Sequence, residues 1–204
     1  MKKAIILPVF LAVVCMTLSC EKDRIPELYL VGQGPVETKA LTLAPFSGIE
    51  LEGVANLYIT SGEEQSVVLK AQQNMMDVLT WDVSAQVLTI ALKDGVSLRN
   101  HEEIRFEIQL PALDRILHEG VGDIQLQGSP QREMDLVHRG VGNMDAYDLP
   151  LEQCVLLQAG VGDCFVKVAT NLDVDITGPG NVYYRGTPQI SCTESGLGSL
   201  INDN

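Results

Sequence analysis

The sequence predicts an all-β fold: a right-handed parallel β-helix-like solenoid with 18–20-residue coils, continuous with an N-terminal β-sheet region. Three observations lead there. A Gly-x-Gly-[Asp/Asn] motif recurs at near-fixed intervals, apolar residues fall in columns two apart around each copy, and the chain ahead of the repeats breaks into short β-rich runs.

The N-terminus is read first, to set it apart from the fold. Two lysines precede an apolar run from Ala4 to Leu18, shorter than the roughly 20 residues that span a bilayer. Residues 1–19 therefore read as a signal peptide. "MTLSC" resembles a lipobox in which Cys20 becomes the lipid-attachment residue, although Thr17 replaces the usual aliphatic side chain. The polar "EKDR" that follows resembles the tether of surface-sorted lipoproteins, and 20–35 is assigned to that tether. Residues 36–204 form a single domain, long enough for one sizeable core.

Within the domain, "FSGIELEGVANLYITSG" is a degenerate first copy of the motif, with Ala55 in place of its second glycine. "QSVVLKA", "DVLTWDV", "QVLTIALKDG" and "EEIRFEIQLP" follow as strands, with "AQQNMMDVL" as a short helix. Ile104, Phe106, Ile108 and Leu110 alternate with Arg105, Glu107 and Gln109, the pattern of a strand solvated on one side. No linker separates this region from the repeats.

The repeats begin at Gly120, Gly140, Gly160, Gly178 and Gly196, at intervals of 20, 20, 18 and 18 residues. Such a period denotes stacked supersecondary units. Positions six and four before each first glycine, and four and six after it, are mostly apolar, which gives two strands per unit with one face inward. Cys154, Cys164 and Cys192 all fall in these columns and are expected to be small buried side chains. The corner valine and the isoleucine after it are expected to face the interior.

The corners themselves are expected to be structural. Gly120, Gly122, Asp123, Gly140, Gly142, Asn143, Gly160, Gly162, Asp163, Gly178, Gly180, Asn181, Gly196 and Gly198 form a ladder. In it, glycine permits close approach or φ > 0, and Asp or Asn bonds to neighbouring backbone N–H groups. Every Gly-x-Gly precedes a strand-like run, so nucleotide binding at a helix N-terminus is excluded. One oxygen-bearing side chain per rung, Asp alternating with Asn, disfavours calcium, which wants 6–8 oxygens. His118 and His138 share a column two places before the glycine and are candidates for binding. Two imidazoles on adjacent rungs suit a shared metal, but no third ligand is evident, so no metal and no cofactor is assigned. Solvated corners are expected for them and for Glu119 and Arg139. Tyr183 is a candidate exposed platform, provided Tyr184 points inward.

Charge limits the partners. The formal net charge is −13, and removing a signal segment that contains Lys2 and Lys3 makes the rest more acidic. Without a basic stripe, nucleic acid is excluded. No catalytic constellation is present, so an enzyme is not predicted.

The opening "FSGIELEG", the segment "IRFEIQLPALDRILHEGVGDI", the Gly-x-Gly-[Asp/Asn] copies, "GNVYYRGTPQI" and the closing "SGLGSLI" together resemble the head GIN-type domain of putative auto-transporter adhesins, common among exported Bacteroidetes proteins. The resemblance spans roughly residues 40–202. It implies a β-solenoid-like, largely all-β fold on a cell-surface or periplasmic anchor, and supplies no catalytic or binding residues. The expected address is an outer-membrane or cell-surface lipoprotein, with a periplasm-facing placement left open. The expected function is a lipid-anchored binding or adhesion module for a glycan or protein. The alternatives are an envelope scaffold without a small ligand and, less favoured, a polysaccharide-acting β-helix enzyme. The polar Asn202, Asp203 and Asn204 border a last rung with an open edge; two outcomes stay open there, a blunted edge or a homodimer through the solenoid end.

Overall fold

The computed structural model describes residues 28–204; the signal peptide, Cys20 and the first part of the expected tether lie outside them. The fold is all-β. Its strands are β1 (Leu28–Val31), β2 (Val36–Leu41), β3 (Gly48–Leu51), β4 (Asn56–Ser61), β5 (Ser66–Gln72), β6 (Leu79–Ser84), β7 (Val87–Leu92), β8 (Val96–Arg99) and β9 (Arg105–Leu110). The repeat region adds β10 (Arg115–His118), β11 (Ile124–Gln127), β12 (Gln131–His138), β13 (Met144–Gln158), β14 (Cys164–Ile176), β15 (Val182–Arg185), β16 (Gln189–Glu194) and β17 (Leu200–Asn202). A single helical turn, α1 (Gln73–Met76), buries Met75 and Met76, where a short helix was expected.

Apart from β1 and β8, all strands belong to one 15-stranded sheet, which curls around a single core. Two parallel ladders organise it. The first runs β7, β3, β10, β12, the C-terminal half of β13, that of β14, then β16. The second runs β9, β4, β11, the N-terminal half of β13, that of β14, β15 and β17. Their register is the repeat period made physical: Ile116 pairs with Leu136 and Cys154 with Leu172. The N-terminal strands extend the sheet with antiparallel pairs, β5 on β9, β2 on β5 and β6 on β7.

The core follows the period-two columns. Ile49, Leu51, Leu57, Phe106, Ile116, Ile124, Leu126, Leu136 and Leu156 are all buried. A strand that buries every second side chain has one apolar face to hide, and both ladders turn theirs to the same interior.

Three expectations are corrected here. Residues 28–31, assigned to a tether, form β1, which pairs in parallel with β8; Leu30 and Leu98 pack on the core and hold the pair there. The corner valines do not face inward: Val121, Val141 and Val161 are 47%, 49% and 56% exposed. They bridge one another, with Val54, along the outside of the turn. Cys154 and Cys164 are buried but Cys192 is exposed. It lies on β16, which among the described residues pairs with β14 alone and is exposed along its whole length, so no described element covers the face that earlier rungs bury.

Candidate functional site

The corner joins the two ladders and fixes the spacing of everything on their outer faces. Backbones stack there so closely that a Cβ on Gly142 would overlap the Gly122 carbonyl oxygen, and Gly142 has φ +133°. Gly122 and Gly162 adopt similar angles, whereas Ala55 in the degenerate copy does not have positive φ. Next to the glycines, each Asx side chain accepts the N–H of its counterpart one rung on. Asp123 N–H donates to Asn56 at 2.8 Å, Asn143 N–H to Asp123 at 2.7 Å and Asp163 N–H to Asn143 at 2.9 Å. Asn181 N–H donates to Asp163 at 2.8 Å and Ser199 N–H to Asn181 at 3.1 Å. The ladder thus satisfies backbone donors that a turn would otherwise leave to solvent.

The histidines are not on that surface. His118 and His138 are fully buried, which corrects their placement as solvated corners and as accessible binding residues. The cause is parity: two places before the glycine continues the inward series of four and six before. The rings lie 4.9 Å apart, and His138 Nδ1 meets Gln158 Oε1 at 2.5 Å. Among the described residues, both nitrogens of His118 and Nε2 of His138 lack a hydrogen-bond partner of good geometry, and the nearby Gly120 and Gly142 backbones oppose the effect of burial on His118 and His138 respectively. Burial, then the neighbouring His138, pushes His118 down to about 4; burial also lowers His138. Glu119 and Arg139, one place on, are exposed and pair at 2.9 Å as expected of a solvated corner. Among the described residues, Glu50, Glu52 and Glu119 bring carboxylate oxygens within 4.8 Å of one another. Arg139 already neutralises one of them, so they form a solvated acidic edge.

The outward face of the second ladder carries the more varied chemistry. Glu107, Tyr58, Gln125, Asp145, Phe165, Tyr183 and Ile201 follow one another across β9, β4, β11, β13, β14, β15 and β17. Arg105 lies over the Tyr58 ring, 3.6 Å from its centroid. It also forms an ion pair with Glu107 at 2.9 Å, and Lys70 bonds to the same carboxylate at 2.8 Å. The Lys70 hydrogen bond is the main influence lowering the pKa of Glu107. Tyr58 donates to Glu103 at 3.1 Å; burial first, then that bond, raises its pKa. Farther along, Phe165 and Tyr183 stack with centroids 5.0 Å apart, and Tyr147 meets Phe165 at a steep angle. Tyr147 also donates to Asp203 at 2.9 Å, under the Arg185 guanidinium.

Two of the depressions on this face border Tyr58. One of about 510 Å³ is lined by Thr60, Arg105, Glu107, Gln109, Gln125 and Gln127, among others. The other, about 260 Å³, runs from Tyr58 over Gln125 and Asp145 to Phe165, bordered by Asp123 and Asn143. Tyr183, the platform anticipated in the sequence, is half-buried, but so is Tyr184, and its ring stacks on Phe165. Tyr58, Gln125, Asp145 and Phe165 lie outside the candidate residues of the sequence. Reading the position five after each first glycine, between the two inward columns, collects all four.

Among the described residues, no helix is long and apolar enough to cross a membrane. The family model described as "Putative auto-transporter adhesin, head GIN domain" matches residues 45–132 and 118–188. No curated protein matches the chain. A putative adhesin from Bacteroides fragilis NCTC 9343 has a similar solved structure, at TM-score 0.55 and 19% identity, covering 85% of this chain and 99% of that one. A putative lipid binding protein from Parabacteroides distasonis ATCC 8503 aligns at TM-score 0.55 and 15% identity, covering 87% and 100%. At these identities the likeness is one of fold.

Proposed function

The chain belongs to the head GIN domain family of putative auto-transporter adhesins, and on that premise we propose that it is an exported, lipid-anchored surface module that binds a glycan or protein partner. The observation that carries this reading is the outward face of the second ladder. Aromatic rings, amides and mutually paired charges are held there in fixed register on a rigid sheet, the arrangement of a recognition surface rather than of a reaction centre. The lipobox-like "MTLSC" supports attachment at Cys20. The parallel ladders, offset by 20 and 18 residues, support reading the repeats as coils of a right-handed β-helix-like solenoid.

Cells displaying the full chain are expected to retain glycans on an array, or a partner in pull-downs, and to lose that retention when the outward face is substituted. Metabolic labelling with a fatty acid is expected to mark the wild type and not Cys20→Ser. Unchanged retention by a chain with Tyr58, Gln125 and Phe165 all replaced would remove the outward face from the reading.

A second reading, an envelope scaffold without a small ligand, is favoured by one feature. The exposed valines at 121, 141 and 161 form an apolar ridge on the corner, and such ridges serve assembly. The edge strands β16 and β17 likewise support a homodimer through that end of the sheet; sedimentation at rising concentration checks it.

A further inference from the structure

The smaller depression has a defined shape. Tyr58 closes one end and Phe165 the other, and each ring is backed on its far side. Arg105, from β9, covers Tyr58 on the side away from β11, and Tyr183, from β15, stacks on Phe165 on the side away from β13. The rungs between them carry Gln125, which is exposed, and Asp145, which is half-buried. At about 4.8 Å per rung, three steps separate the end walls by about 14 Å, or about 11 Å between ring surfaces. That leaves room for about two pyranose rings.

The lining chemistry selects the occupant. Aromatic rings offer flat apolar surface to the C–H faces of a sugar. The Gln125 amide both donates and accepts, and the Asp145 carboxylate accepts from hydroxyls. Among the described residues no lysine or arginine lines the slot, while Asp123 and Asp145 do, so the local field repels anions. The volume of about 260 Å³ lies just under that of sites for drug-sized ligands.

We infer that the slot between Tyr58 and Phe165 binds an uncharged glycan, two sugar rings at a time, with hydroxyls on Gln125 and Asp145. This rests on the reading of the protein as a binding module and narrows it to one place and one ligand class. Longer neutral chains continue past Tyr58 into the larger depression, which shares Gln125.

The test is saturation-transfer NMR on the full chain in detergent, with lactose, maltose, cellobiose and N,N′-diacetylchitobiose as probes and 3′-sialyllactose as the anionic comparison. At least one neutral disaccharide is expected to receive saturation, with binding weakened about tenfold or more by Tyr58→Ala and by Phe165→Ala. Gln125→Trp, at an exposed strand position that accepts an aromatic, fills the slot without disturbing the core and is expected to do the same. Circular dichroism checks that each variant is folded. Neutral binding that all three variants leave intact overturns the slot while sparing the binding-module reading. Tighter binding of sialyllactose overturns the ligand class. No disaccharide signal, together with capture of a protein partner that Gln125→Trp abolishes, overturns the inference in favour of a peptide. Absence of both disaccharide binding and any captured partner overturns the binding-module reading as well.

Discussion

The backbone N–H of Asn143 donates to the carboxylate of Asp123 at 2.7 Å, from twenty residues along the chain and one rung away in space. Asn143 in turn accepts from Asp163 N–H, so the side chain at each rung serves the rung that follows. Asn143→Ala is expected to cost about 1–2 kcal/mol, the worth of a backbone donor left without its partner. Asn143→Asp keeps the acceptor but places three carboxylates in a row about 4.8 Å apart. Its destabilisation should shrink as salt screens the repulsion. Urea titrations at low and high NaCl distinguish the two; equal midpoints for wild type and both variants would sink the ladder's energetic role.

Stability should fall as pH is lowered through the range in which free histidine gains its proton. His118 is held down to about 4 from an ordinary 6.5, so between those values the unfolded chain binds the extra proton and the folded chain does not. The neutral imidazole's contribution is complete above pH 6.5 and is lost progressively down to about 4, for a total on the order of 3 kcal/mol. His118→Leu, which replaces an unpartnered polar ring with an apolar one, should flatten that limb of the stability curve. Thermal unfolding from pH 4 to 8 reads the difference, and parallel curves for the two proteins would contradict it.

The inward columns were legible because a period of two in the strands and a period near twenty in the repeats both survive in the letters. The histidines show that position outranks residue type: His118 has the parity of Ile116, and geometry buries both. The corner valines show the converse case, since apolar character says inside while the outer side of a tight turn leaves them half-exposed. The slot was hidden for another reason. Tyr58, Gln125, Asp145 and Phe165 are unlike one another and scattered over more than a hundred residues. Their one common mark in the sequence is the position five after each first glycine, and the ladder register turns that shared position into adjacency.

Two adjacent corner residues should respond to substitution in opposite ways. Gly142→Ala introduces a Cβ that meets the Gly122 carbonyl, at φ +133°, a conformation that L side chains rarely adopt. It is expected to cost about 2 kcal/mol or more, in line with backbone-strain substitutions. Val141→Thr, at a position 49% exposed, should stay within about 0.5 kcal/mol of wild type. Chemical denaturation of both variants checks the pair, and a larger loss from Val141→Thr than from Gly142→Ala would reverse the assignment of which residue shapes the corner.

The three thiols of the described domain should separate cleanly by reactivity, because the thiolate is the nucleophile and must be reached by reagent. Burial pushes Cys154 up to about 12 and raises Cys164 as well, and both lie inside the sheet. Cys192 is also raised, by partial burial and then by Glu194, yet it stands exposed on β16. Iodoacetamide at pH 8 followed by peptide mass mapping should therefore alkylate Cys192 slowly in the native protein. Cys154 and Cys164 should remain unmodified until denaturant is added. If all three react together in native buffer, the core is opening globally on the labelling timescale. If Cys192 is protected while the protein sediments as a dimer, and reacts once it is diluted to monomer, the uncovered face of β16 is where two copies meet.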